Sequence, residues 1–212
     1  MATSKIAIMN SALGRLGESA ISASDENNKR ARVMGLFYDE TRRDLLRSYV
    51  WHFARERISL APDATAPAFG YTNRFLLPSR VLRVVGMYDE SDPSYQHNYT
   101  GTEYPFKVEG RYVLSDLNPL RLHIIRDEED TTKFDPCFDV SLAWLLAATA
   151  ATSLTDDKGL VDICTKGYQM SLKNARTSNA MEGTPETIMS TTWLDARRTY
   201  GTAGPYRIGP VW

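Results

Sequence analysis

Through residues 24–57 the apolar positions recur at steps of three, four or seven. Ala31, Met34, Tyr38, Leu45, Tyr49 and His52 or Phe53 share one stripe, while Arg32, Asp39, Arg43 and Arg47 lie mostly off it. That spacing predicts an amphipathic helix with a core to face. Ser24 is the candidate N-cap, and Asp25 and Glu26 fall in the first turn, where the helix dipole favours negative charge. Asp39 with Arg43 and Asp44 with Arg47 are acid-before-base pairs on this helix, each worth about 0.2–0.5 kcal/mol when exposed. Trp51 and Phe53 then predict that the helix runs into a buried corner before Arg55, Glu56 and Arg57 return to the surface. Upstream, Thr3 or Ser4 caps a short helix with the stripe Ile6, Met9, Leu13 and Leu16, ended by Gly17.

After Arg57 the helical period is lost in a stretch rich in Pro, Ala and Thr. Short β-type runs follow: Phe75-Leu76-Leu77, then Val81-Leu82-Arg83-Val84-Val85 ended by Gly86, and the alternating Leu120-Arg121-Leu122-His123-Ile124. Between them, Phe106-Lys107-Val108 and Tyr112-Val113-Leu114 flank Glu109-Gly110-Arg111 and predict a hairpin. Four or five short strands are too few for a sandwich, so one small antiparallel sheet inserted into a helical framework is expected.

Asp135-Pro136 restores helix, Asp as N-cap and Pro at the first helical position. The following segment to Leu154 is the most apolar in the chain and is expected to be central. Its alanines allow close approach of neighbouring helices. Thr155 or Asp156 is the candidate cap of a last helix whose stripe is Leu160, Ile163, Gly167, Met170 and Leu172, with Tyr168 and Ala175 beside it. The expected fold is α+β and mainly α: an antiparallel four-helix bundle formed by residues 1–57 and 133–181, an inserted β domain over 58–132, and an extended C-terminal arm over 182–212. The arm is polar and rich in Gly and Pro but keeps Trp193, Tyr200, Tyr206 and Trp212. Rings in a core-poor segment predict docking, on its own domain or on a neighbouring subunit.

At 212 residues, with 42% hydrophobic and 24% charged residues, the chain can bury a core without staples. Its formal net charge of -1 gives no global attraction to nucleic acid or anionic membrane. Residues 4–16 are too short and polar to span a bilayer and lack a secretory layout, so synthesis in the cytosol and no membrane association are expected. Cys137 and Cys164 then read as buried free thiols.

The chain has no phosphate-binding GxxxxGK[ST], no GxGxxG after a strand, no GxSxG and no HExxH. His52, His97 and His123 share no ligand spacing, and no cofactor is expected. Asp127-Glu128-Glu129-Asp130 lacks the alternation and glycine of a calcium loop and reads as a solvated turn, with a subunit contact to a basic patch as the second reading. Glu103, Glu109 and Asp116 are nominal carboxylates for a cell-wall hydrolase. Arg30, Arg32, Arg42, Arg43, Arg47, Arg55 and Arg57 crowd the 24–57 helix, but Asp39, Glu40 and Asp44 interleave with them, which favours a solvated or inter-subunit face over a DNA-reading helix.

The spacing of Asn27, Ala31, Arg32, Met34, Tyr38, Asp39, Arg43, Leu45, Leu46, Trp51, Phe53 and Ala54 resembles the amino-terminal helical region of the tail tubular protein A family. These are head-to-tail adaptors of short-tailed bacteriophages and related prophages. Ala12-Leu13-Gly14-Arg15-Leu16-Gly17, Phe134-Asp135-Pro136, Trp144, Leu154-Thr155 and Asp157-Lys158 are similar too, so the likeness covers most of residues 5–180. It implies a non-enzymatic structural virion protein that forms a ring, usually of twelve copies, between the portal protein and the tail nozzle protein. DNA would pass through the lumen without sequence-specific recognition, and the free protein could be a monomer. Arg43, Arg47, Trp193, Tyr200, Tyr206 and Trp212 are the candidate portal or subunit contacts. A virion-associated wall hydrolase and a DNA-binding protein are the alternatives.

Overall fold

The computed structural model describes residues 4–88, 106–155 and 157–183. The arm with Trp193, Tyr200, Tyr206 and Trp212 lies outside the described residues, as do His97, Glu103 and Asp156. Among the described residues the fold is mixed α/β, with four α-helices and two small antiparallel sheets.

Helix α1 (Lys5–Arg15) is capped as expected by Ser4, whose side chain accepts from Ala7 N. Glu18 N donates to Leu13 O and Gly17 N to Gly14 O, with Gly17 at φ 74°. This double bond to the last turn needs a left-handed residue, which glycine supplies without strain. Helix α2 (Lys29–Ser48) starts later than the Ser24 cap implies. Asn28 is its N-cap, accepting from Ala31 N at 2.7 Å. Glu26 stays outside the helix because its carboxylate is already satisfied by the backbone N–H groups of Ser22 and Ala23 and the Asn28 amide.

Nor does α2 reach Arg57. Tyr49 turns extended, the Ser48 hydroxyl and the Trp51 indole N–H both donate to Leu45 O, and a single 3₁₀ turn (His52–Ala54) leads into strand β1 (Arg55–Leu60). The buried corner itself is present. Trp51, Phe53, Phe134 and Phe138 meet with ring centroids 4.9–6.2 Å apart, mostly edge to face, a geometry favoured by the ring quadrupoles.

Helix α3 (Pro136–Leu154) opens with Asp135 accepting from Cys137 N and Pro at the first position. It packs against α1, α2 and α4. Its length and apolarity would allow it to cross a bilayer by composition, but Phe138, Leu142, Leu146, Ala147, Ala150 and Ala151 are buried, as in a helix covered on most sides by protein. Helix α4 (Lys158–Glu182) is capped by Asp157 rather than Thr155 or Asp156. Thr155 closes α3 instead, its N–H and hydroxyl both donating to Ala151 O.

The face that α4 turns inward keeps part of the expected stripe: Gly167, Leu172, Tyr168 and Ala175 pack inward, while Ile163 and Met170 do not. Cys164, Ala175 and Asn179 are buried, whereas Ile163 and Met170 are 58% and 71% exposed. Small residues win because α4 lies hard against α3: a Cβ on Gly167 would sit 2.7 Å from Trp144 Cε3. Cys137 and Cys164 are free thiols, half-buried and buried.

Six described strands form two three-stranded sheets, not one. The first has the order β1, β6 (Leu120–Arg126), β3 (Val81–Tyr88). The second has β2 (Asn73–Leu76), β5 (Tyr112–Ser115), β4 (Phe106–Glu109). The predicted hairpin is β4–β5, with Gly110 at φ 60° in a two-residue turn that requires positive φ. Gly86 does not end β3, because register shifts between Val81 and Arg83 and between Val84 and Gly86 carry the strand on to Tyr88.

Alternation along β6 assigns it to two cores at once. Leu120, Leu122 and Ile124 join Phe75, Val113 and Met87 between the sheets, while Ile125 joins the helical core with Leu82 and Val85. The first sheet therefore couples the helices to the second sheet.

Candidate interaction surfaces

Arg42 is not part of a solvated face. It lies one step past buried Thr41, is 2% exposed, and its Nη1 is 2.5 Å from both Asp127 Oδ1 and Glu128 O. Arg43 Nε approaches Asp127 Oδ2 at 3.2 Å, so one carboxylate bridges two consecutive arginines. Glu128, 5% exposed, is paired with Arg126 and Lys133, and Lys133 also reaches Asp130 at 3.5 Å. The acidic run expected as a solvated turn is thus an intramolecular network binding the end of β6 to α2, and Glu129 alone stays mostly in solvent. Among the described residues no group of three or more His, Cys, Asp or Glu could hold a metal ion.

Arg47, the other helix arginine singled out by the sequence, donates to Leu82 O of β3. Arg43 and Arg47 therefore tether α2 to the first sheet while keeping exposed stems. Glu109 pairs with Lys107 at 2.9 Å, and Asp116 accepts from the backbone N–H and hydroxyl of Thr72. Hydrogen bonds from Thr72, first from its backbone, hold the Asp116 carboxyl below the usual range. These carboxylates serve turns of the second sheet.

The C-terminal half of α4 is fixed against the aromatic corner by Asn179, which is 5% exposed. Its Oδ1 accepts from His52 N at 2.9 Å and its Nδ2 donates to Val50 O at 3.0 Å. Arg176 lies 5.3 Å over the Tyr49 ring on the same side. The His52 ring is exposed, so the backbone of that residue, not its imidazole, carries the structural role.

With this face committed, the side of α4 that carries Ile163 and Met170, two members of the expected stripe, lies in solvent. Ile163 and Met170 stand one heptad apart on it, and Met181, 82% exposed, lies near its end. Leu172, Lys173, Arg176, Thr177, Ala180 and Met181 border a shallow groove of about 580 Å³ along the last turns.

No model of a known protein family matches the chain, and no curated protein matches it.

Proposed function

We propose that this protein is a structural head-to-tail adaptor of a short-tailed phage or prophage, a virion protein that works by positioning and not by catalysis. In this reading the four helices act as an antiparallel bundle that builds a ring. Residues 58–132 are an inserted β domain, and residues 182–212 are an arm that docks on the portal or on a neighbouring copy. The ring, of about twelve copies, joins portal to tail nozzle at the head–tail junction and lets DNA pass through its lumen. It is made in the host cytoplasm. The resemblance in residues 5–180 supplies the class.

The observation that carries the reading is the outward face of α4, where Ile163 and Met170 stand one heptad apart on a helix already fixed on its other side. Exposed apolar residues on a rigid element suit a heterologous contact, which closes into a ring when repeated. A single such contact is too small to hold free copies together, so assembly waits for the portal template. The test is the variant Ile163→Asp with Met170→Asp. Its circular dichroism and urea midpoint stay within about 0.5 kcal/mol of the parent, as expected for exposed positions, and its assembly on portal is lost. Undiminished assembly would overturn the assignment of α4 as the contact.

A further inference from the structure

The first sheet has a face that the helices cover only in part. The end that the helices leave, formed by β1, β6 and the end of β3, borders a groove of about 520 Å³ lined by Arg57, Ser59, Tyr88, Arg121 and His123 together with Ile58 and Leu122. Register makes this set. Arg57 is directly opposite His123, Ser59 opposite Arg121, and Tyr88 opposite Arg121 on the other side of β6. Directly opposed residues share a face with Cβ atoms about 4.5–5.5 Å apart. Arg55, two residues before Arg57 and so on the same face, brings its Nη2 to 3.4 Å from His123 Nδ1. A guanidinium only donates, so in this contact Nδ1 is the acceptor.

We propose that this groove binds single-stranded nucleic acid, with phosphates on Arg57 and Arg121 and a base against the ring of Tyr88. Three arginines and a histidine share this face, and none of the described residues lining the groove is acidic. A guanidinium presents five donors in a fork that suits phosphate oxygens; Arg57 is exposed, and Arg55 and Arg121 also interact within the chain. The volume exceeds what a lone phosphate fills and suits a nucleotide-sized unit. A cationic groove beside an aromatic side chain is the arrangement that tracks a single strand and stacks its bases. The chain's net charge of -1 makes the attraction local to this face. The proposal stands apart from the adaptor reading and differs from recognition by α2, whose Arg43 and Arg47 are engaged within the chain.

The test is fluorescence anisotropy of a labelled thymidine oligonucleotide of about twelve bases, long enough for one site, titrated with the full chain at low salt. Saturable binding is expected, falling with salt at a log–log slope near about -1.4, as for two phosphates on a single strand. Arg57→Glu and Arg121→Glu each weaken it at least tenfold, and Tyr88→Ala weakens it several-fold. Lys173→Glu, an exposed cation on α4, leaves it unchanged. Arg57 is exposed, so Arg57→Glu keeps the test valid even if Arg121→Glu perturbs folding. Absence of saturable binding, equal loss in Lys173→Glu, or displacement by inorganic phosphate as readily as by unlabelled oligonucleotide would each overturn the proposal.

Discussion

Replacing Asn179 by Leu removes both hydrogen bonds that hold the end of α4 to the corner after α2. Leucine keeps asparagine's branching and number of heavy atoms but can neither donate nor accept a hydrogen bond. It strands the His52 N–H, bonded at 2.9 Å, and the Val50 carbonyl, bonded at 3.0 Å, against a side chain that is 5% exposed in the parent. Leaving a buried backbone group unpaired costs about 1–3 kcal/mol. Both partners are only partly buried and can recover some solvation, so the sum is about 2–4 kcal/mol. With a urea m-value of about 2 kcal/mol/M, the midpoint falls by about 1–2 M. Thr177→Ala, on the exposed side of the same helix, is the control and changes stability by less than about 0.5 kcal/mol. Equilibrium urea unfolding followed by circular dichroism reads both. A loss below about 0.5 kcal/mol in Asn179→Leu would refute the claim that this residue fixes α4.

Three other outcomes follow from the geometry. Gly167→Ala puts a methyl 2.7 Å from Trp144, on which Arg15 also rests at 4.5 Å, and is expected to destabilise by about 1–3 kcal/mol and alter Trp144 fluorescence. Unchanged emission and stability would contradict the close approach of α3 and α4. Arg42→Ala, which uncovers Asp127 and the Glu128 carbonyl, is expected to lose about 3 kcal/mol or more. Combined with Asp127→Asn, the losses fall short of additivity by about 1 kcal/mol, and strict additivity in urea titrations would exclude a coupled pair.

The third outcome concerns acid. Glu26, held by the N–H groups of Ser22 and Ala23, Asp116, held by Thr72, and Asp130, held by the Thr132 hydroxyl and N–H, all have carboxyls below the usual range. A depressed folded value means their contribution is complete above the unfolded value of about 4 and is lost as pH falls through the lower folded values. Glu26→Gln, Asp116→Asn and Asp130→Asn together should flatten the decline of the urea midpoint between about pH 5 and 2, and an unchanged slope would contradict the assignment.

What the sequence made legible was local. The Ser4 and Asp135 caps, the glycine exit of α1 and the Gly110 hairpin depend on residues within a few positions of one another, and all are present. What escaped was decided by contacts far along the chain. The charged start of β1, Arg55-Glu56-Arg57, read as a helix end resurfacing, because its strand character comes from pairing with β6 more than sixty residues away. Arg42 looked like one more surface cation until Asp127 paired with it and the Glu128 carbonyl accepted from it at the far end of the β segment.

Face choice on α4 was right only in part. Gly167, Leu172 and Ala175 of the expected stripe pack inward, but the close approach to Trp144 at Gly167 leaves the bulkier Ile163 and Met170 in solvent. Of the candidate contacts, Arg43 and Arg47 proved to be tethers with exposed stems. The groove between Arg57 and Arg121 could not be read in advance, since only strand register places those residues side by side.

The most direct measurement is mass in solution by light scattering, for the purified protein alone and then mixed with its cognate portal ring. The adaptor account predicts a monomer that joins the portal in a fixed multiple, and loss of that complex in the Ile163→Asp, Met170→Asp variant. A protein that ignores the portal at every concentration tried would contradict it.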